Sequence, residues 1–177
     1  MTATTTTSLP ETAPSAVRIK KLMVPLDLSQ HAHKAIRYAV RFAQQFGAEI
    51  DLVHVISPLG YDGLIIPTAL QEVNTQLRKH AREELQKLVG MEEQYRIKLK
   101  ADVLLGDPAH EIAKLAQERG TDMIVLTTHG RSGFTHALLG SVTERIVRHA
   151  PCPVFVVHAR EHDFISENKT ESRTIPS

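Results

Sequence analysis

Apolar and polar positions along this chain switch repeatedly between two periods. Lys20–Leu26 is a short β-rich run holding Leu22, Met23 and Val24. After it, Ala32, Ala35, Ile36, Ala39, Val40, Ala43 and Phe46 recur at i, i+3, i+4 and i+7 spacing, which predicts an amphipathic helix stopped at Gly47. Ile50–Ile56 is almost continuously apolar, as expected of a strand covered on both faces. Residues from Pro58 to Pro67 predict a loop, and a long helix follows with Leu70, Val73, Leu77, Ala81, Leu85 and Leu88 toward the core. Ile97–Leu105 predicts a third strand. Asp107-Pro108 predicts a helix start, with Asp as N-cap and Pro in the first turn. Ile112, Leu115 and Ala116 form that helix's apolar stripe. Met123–Leu126 reads as a fourth strand, Ser141–His149 as a short helix and Val154–Val157 as a fifth strand.

Strands separated by helices predict parallel pairing through right-handed crossovers. The expected fold is α/β: an open five-stranded parallel sheet, strand order 3-2-1-4-5, with helices on both faces, Rossmann-like. Ligands of such sheets lie beyond the carboxyl ends of the strands, where strand order reverses. Asp27 follows the first strand at that end. Asp122 precedes the fourth strand at the opposite end and reads as a solvated turn residue. The domain is expected over residues 18–160. Residues 1–17 and 161–177 are polar and poor in large apolar side chains, and read as disordered tails.

Composition narrows the function. A chain of 177 residues suits one domain. Lys+Arg of 21 against Asp+Glu of 20 leaves no field to draw nucleic acid or an anionic membrane. Without Trp and with 5% aromatics, a base-stacking surface is not expected. Cys152 is the sole cysteine, so no internal disulfide forms, and no apolar run reaches the roughly 20 residues that span a bilayer. The first residues lack the basic start and apolar core of a secretory leader. A cytoplasmic location is expected.

The chemistry concentrates between Thr127 and Glu144. Gly130, Gly133 and Gly140 lie between a strand and a helix, where glycine lets backbone approach a ligand. Gly140-Ser141-Val142 starts a helix, whose free N–H groups favour an anion such as phosphate, and Arg131 can add charge. No Lys precedes Ser141, so this is not a Walker A loop and lacks its γ-phosphate activator. Ser141-Val142-Thr143-Glu144 also matches a capping box, a purely local role.

Thr127-x-x-Gly130, nine residues, then Gly140-Ser141 resembles the nucleotide loop of universal stress proteins, G-x-x-G-x9-G-[ST]. Leu22-Met-Val-Pro-Leu-Asp-Leu-Ser29, Leu52-Val-His-Val-Ile56, Leu105-Gly-Asp-Pro-Ala109 and the run from Ser141 to Val157 resemble that family's other motifs, in order. The resemblance implies an adenine nucleotide alpha hydrolase-like fold and a dimeric module binding ATP or another adenine nucleotide, with at most slow hydrolysis. It places Pro25 and Asp27 at adenine and ribose, with Asp27 as acceptor, and Val55 at the adenine. Gly130 would admit the loop to the ligand; Gly140, Ser141 and Val142 would hold phosphates. Any accompanying magnesium would be held mainly by phosphates. Thr127 stands where the family motif has its first glycine, which restricts the backbone there, although its hydroxyl can offer a hydrogen bond.

Val154–Val157 would be an apolar edge strand, and pairing with its copy across a two-fold axis would cover it. Homodimers of this kind are also what the resemblance implies. Among the 10 histidines, His31 and His33 share no helix face, and none has metal-ligand spacing with Cys or paired carboxylates. His129 reads as loop packing and Cys152 as structural. Two other functions compete: a scaffold of the same fold acting through protein partners without nucleotide, and an ATP pyrophosphatase. The latter needs an S-G-G-x-D-S type loop, where this chain has Pro25-Leu-Asp-Leu-Ser29.

Overall fold

The computed structural model describes residues 17–29, 32–57, 68–90, 95–128 and 139–158. The expected tails apart from Val17, the loop at 58–67 and most of the glycine loop, with His129, Gly130, Arg131 and Gly133, lie outside the described residues, as does His31.

The elements run β1 (Lys21–Pro25), α1 (Ala32–Phe46), β2 (Glu49–Ile56), α2 (Thr68–Val89), β3 (Leu99–Leu105), α3 (Pro108–Arg119), β4 (Met123–Thr127), α4 (Ser141–His149) and β5 (Val154–Val157). All strand pairs are parallel, in the order β3-β2-β1-β4-β5. Strand alternation sends β1 side chains to opposite faces. Leu22 and Val24 pack with Ile50, Leu52 and Val125 beneath Ala35, Ile36, Ala39 and Val40 of α1. Met23 joins Val53, Ile124 and Leu126 beneath Ile112 and Ala116 of α3 and Ile146 of α4. With both faces covered, the central strands are mostly apolar, although β2 also carries Asp51 and His54.

α3 begins as its sequence dictates. Asp107 accepts from His110 N–H at 3.0 Å, Pro108 opens the helix, and Gly120 closes it in the left-handed region with φ of 60°. The sheet edge at β5 is anchored by Phe155, whose ring lies 5.1 Å from Phe42 and 5.7 Å from Tyr38. Tyr38 is buried although it falls outside the expected stripe of α1.

Two expectations need correction. Val73 and Leu77 do not face the core: they are 40% and 41% exposed, while Asn74 is buried with Ala81 and Leu85. Positions spaced strictly by four drift about 40° per step on an α-helix, so Val73 lies about 120° round from Leu85. Asn74, eleven residues before Leu85, lies within about 20° of it. Asp122, expected as a solvated turn residue, is a staple: its Oδ2 accepts from Lys20 N–H at 2.7 Å and Lys21 N–H at 2.9 Å, fixing the start of β1.

Candidate functional site

A cleft of about 560 Å³ opens beyond the carboxyl ends of β1, β2 and β4. This is the point where strand order reverses, between β1 and β4. Its walls come from the β1 exit (Pro25–Leu28), the end of β2 (Val53–Ser57), the end of β4 (Leu126 and Thr127), Pro108 and Ile112 of α3, and the start of α4 (Gly140–Thr143). Seven of the expected residues meet there: Pro25, Asp27, Val55, Thr127, Gly140, Ser141 and Val142. The other two, Gly130 and Arg131, lie outside the described residues.

The β1 exit is a built turn. Asp27 Oδ1 accepts from Ser29 N–H at 3.1 Å and from Ser29 Oγ at 2.7 Å. Between them Leu28 adopts φ of 59°, a conformation that leucine rarely takes. The second carboxylate oxygen of Asp27 is shielded from solvent and has no hydrogen-bond partner among the described residues. A buried acceptor without a donor is unfavourable, and a hydroxyl supplied by a ligand would correct that.

The opposite wall is the start of α4. The capping box is not formed: Gly140, not Ser141, is the N-cap, and no side chain caps the helix. Glu144 instead pairs with Arg148 at 2.8 Å. Among the described residues the N–H groups of the first turn therefore have no side-chain acceptor, and the helix dipole adds partial positive charge. Gly140 N–H donates to Thr128 O at 2.9 Å, and Thr143 Oγ donates to Thr127 O at 3.1 Å, so α4 begins against the end of β4. A Cβ at Gly140 would stand 3.3 Å from Thr128 O, so the glycine is needed for close approach rather than for an unusual φ. This donor set and the orphaned Asp27 oxygen fit a ligand with an anionic end and a hydroxyl-bearing end.

α3 is locked to α4 beside the cleft. Arg145 Nη1 and Nη2 each donate to Asp107 at 2.8 Å. That guanidinium, with His110 N–H, holds the Asp107 carboxyl below the usual range. At the other end of α3, Arg119 sits 3.0 Å from the buried Asp51 and 2.8 Å from Asp102, its guanidinium holding the C-terminal end of α3 to β2 and β3. Burial pushes the Cys152 thiol up, away from a nucleophile's range.

Sequence reasoning missed His54 and His80, which also line the cleft. His54 was legible only as part of a strand; its hydrogen bond, Nδ1 to Leu26 O at 2.7 Å, joins residues far apart in the chain. Among the described residues no cluster of three His, Cys, Asp or Glu could hold a metal, and no helix is long and apolar enough to cross a membrane.

Residues 18–158 match the model of the universal stress protein family. A universal stress protein of Methanocaldococcus jannaschii is 34% identical over 138 residues, covering 78% of this chain and 81% of its own. The solved UspA of Lactobacillus plantarum superposes with a TM-score of 0.73 at 28% identity, over 80% of this chain and 99% of its own. A family protein from Arabidopsis thaliana, solved with AMP bound, shares the fold with a TM-score of 0.57 at 19% identity, over 78% of this chain and 91% of its own. The chain belongs to the universal stress protein family.

Proposed function

We propose that the cleft binds an adenine nucleotide, ATP first among them, and that the protein works as a nucleotide-dependent binding or signalling module. The observation that carries this is the pairing, on one cleft, of an orphaned Asp27 oxygen with an uncapped α4 N-terminus. Asp27 would accept from a ribose hydroxyl, Pro25 and Val55 would flank the base, and the first N–H groups of α4, at Ser141 and Val142, would hold phosphate oxygens. Thr127 would bound the ribose and phosphate side. Gly130 and Arg131 belong to the same assignment through the loop motif. The AMP of the Arabidopsis relative supports the ligand class.

Bound nucleotide would bring negative charge to the N-terminus of α4. Hydrolysis is slow in this proposal, because no lysine precedes Ser141 to activate a γ-phosphate. Magnesium would be held by the phosphates. The module acts as a homodimer through β5, whose outer edge pairs with no other strand among the described residues.

Asp27→Ala tests the site. ATP affinity should fall by about tenfold or more, as when a hydrogen bond to a charged group is lost. Affinity equal to wild type would remove Asp27, and with it the site assignment.

A further inference from the structure

The β1–β2 ladder stops one bond short of where its geometry leads. Odd-numbered residues of β2 turn their backbone groups to β1: Glu49 N–H donates to Lys20 O at 2.9 Å, and Val53 O accepts from Leu26 N–H at 2.8 Å. In a parallel ladder the next bond of the series runs from Val55 N–H to Leu26 O. It is not made, and the β1–β2 register ends at Pro25 opposite Val53. Leu26 O lies instead 2.7 Å from His54 Nδ1. A carbonyl oxygen can only accept, so Nδ1 carries the proton and donates. Val55 N–H is left with no hydrogen bond among the described residues, at a position that lines the cleft.

We propose that His54 is a positioning residue whose imidazole stands in for a backbone donor. By occupying Leu26 O it keeps Val55 N–H open to the cleft, as a donor for a ring-nitrogen acceptor of a planar base. The same bond braces Leu26, the residue before Asp27. Leu26 is then held through its N–H by Val53 and through its C=O by His54, and the strained Asp27–Ser29 turn starts from a fixed point. The open N–H reaches its use in binding only if the nucleotide assignment above holds; the displaced hydrogen bond itself does not depend on it.

A bond that merely staples the end of β1 behaves differently when removed. In His54→Leu the ring donor is gone, so Val55 N–H can close onto Leu26 O and the ladder grows by one bond. A simple staple would instead leave Val55 unchanged and loosen residues 26–29. His54→Asn keeps a donor, because its amide nitrogen falls near the position of Nδ1.

The experiment is residue-resolved amide hydrogen exchange on the ligand-free full chain, for wild type, His54→Leu and His54→Asn, followed by titration with ATP. In wild type the Val55 amide should exchange at least about tenfold faster than that of Val53. It should slow in His54→Leu and stay fast in His54→Asn. ATP affinity should fall about tenfold in His54→Leu and recover in His54→Asn. A wild-type Val55 amide as protected as Val53 overturns the proposal, even should His54→Leu fold poorly, and so does an unslowed Val55 in a folded His54→Leu. A wild type that binds no ATP sinks the nucleotide assignment, and the exchange comparison still decides what His54 does.

Discussion

Arg145 grips Asp107 through two parallel hydrogen bonds of 2.8 Å, joining the first turn of α3 to the middle of α4. Asp107 also caps α3, so one carboxylate fixes both helices that flank the cleft on that face. Planar guanidinium–carboxylate pairing gives orientation as well as attraction, and it fixes the angle at which α4 presents its N-terminus.

This pairing sets a pH dependence. The carboxyl of Asp107 is held below its ordinary value, first by Arg145 and then by His110 N–H. A depressed carboxyl stabilises the fold above its unfolded value, and that contribution disappears as pH falls through the folded one. Both side chains are largely exposed, so the effect should be modest and weakened by salt. Thermal melts of wild type and Asp107→Asn should differ at neutral pH and converge under strongly acidic conditions, since Asn keeps the cap but not the charge. A difference that persists unchanged in acid would show that the ion pair contributes nothing.

Arg119 is the one cation shown against buried Asp51 among the described residues. Arg119→Ala would strand that carboxylate. The expected loss is about 2 kcal/mol, less than for a fully buried pair because Arg119 and Asp102 are each about a third exposed. Urea denaturation measures it, and Arg119→Met with Asp51→Leu in one chain should recover much of the loss.

Gly140 is expected to separate folding from binding. An alanine Cβ would meet Thr128 O at 3.3 Å, which a shift of a few tenths of an ångström relieves. Stability should fall by about 1 kcal/mol or less. ATP binding should suffer more, because the shift moves the first N–H groups of α4. Equal affinity in Gly140→Ala would place the phosphates elsewhere.

The β5 edge gives a test of assembly. Pro153 O accepts from Ile124 N–H of β4 and Val157 O from Thr128 N–H just beyond it, so the backbone of Val154 and Val156 turns outward. Val156→Pro removes an outward N–H and leaves the β4 ladder intact. Light scattering should give twice the chain mass for wild type and the single mass for Val156→Pro. A monomeric wild type at micromolar concentration would end the dimer proposal.

The sheet was legible because every strand carries its own apolar run between helices, which implies parallel pairing with right-handed crossovers; the expected order 3-2-1-4-5 is the one observed. The limits of β5 and α4 coincide with those read from Val154–Val157 and Ser141–His149. What failed was local. The α2 stripe misled because fourfold spacing hides a rotation, which placed Asn74 inward and Leu77 outward. The capping box failed because a Ser-x-x-Glu pattern does not say which residue is the N-cap; the contact of Gly140 with Thr128 decides that. Asp27 and Gly140 could be named from motifs, whereas His54 acts through a partner 28 positions away, a relation that neither periodicity nor spacing carries.

The most direct test is calorimetric titration of nucleotide-stripped protein with Mg-ATP, with GTP as control. Micromolar or tighter binding, selective for ATP, is the expected result and would show that Thr127 is tolerated in the loop. No detectable heat at millimolar ATP would contradict nucleotide binding and leave the chain as a scaffold acting through protein partners.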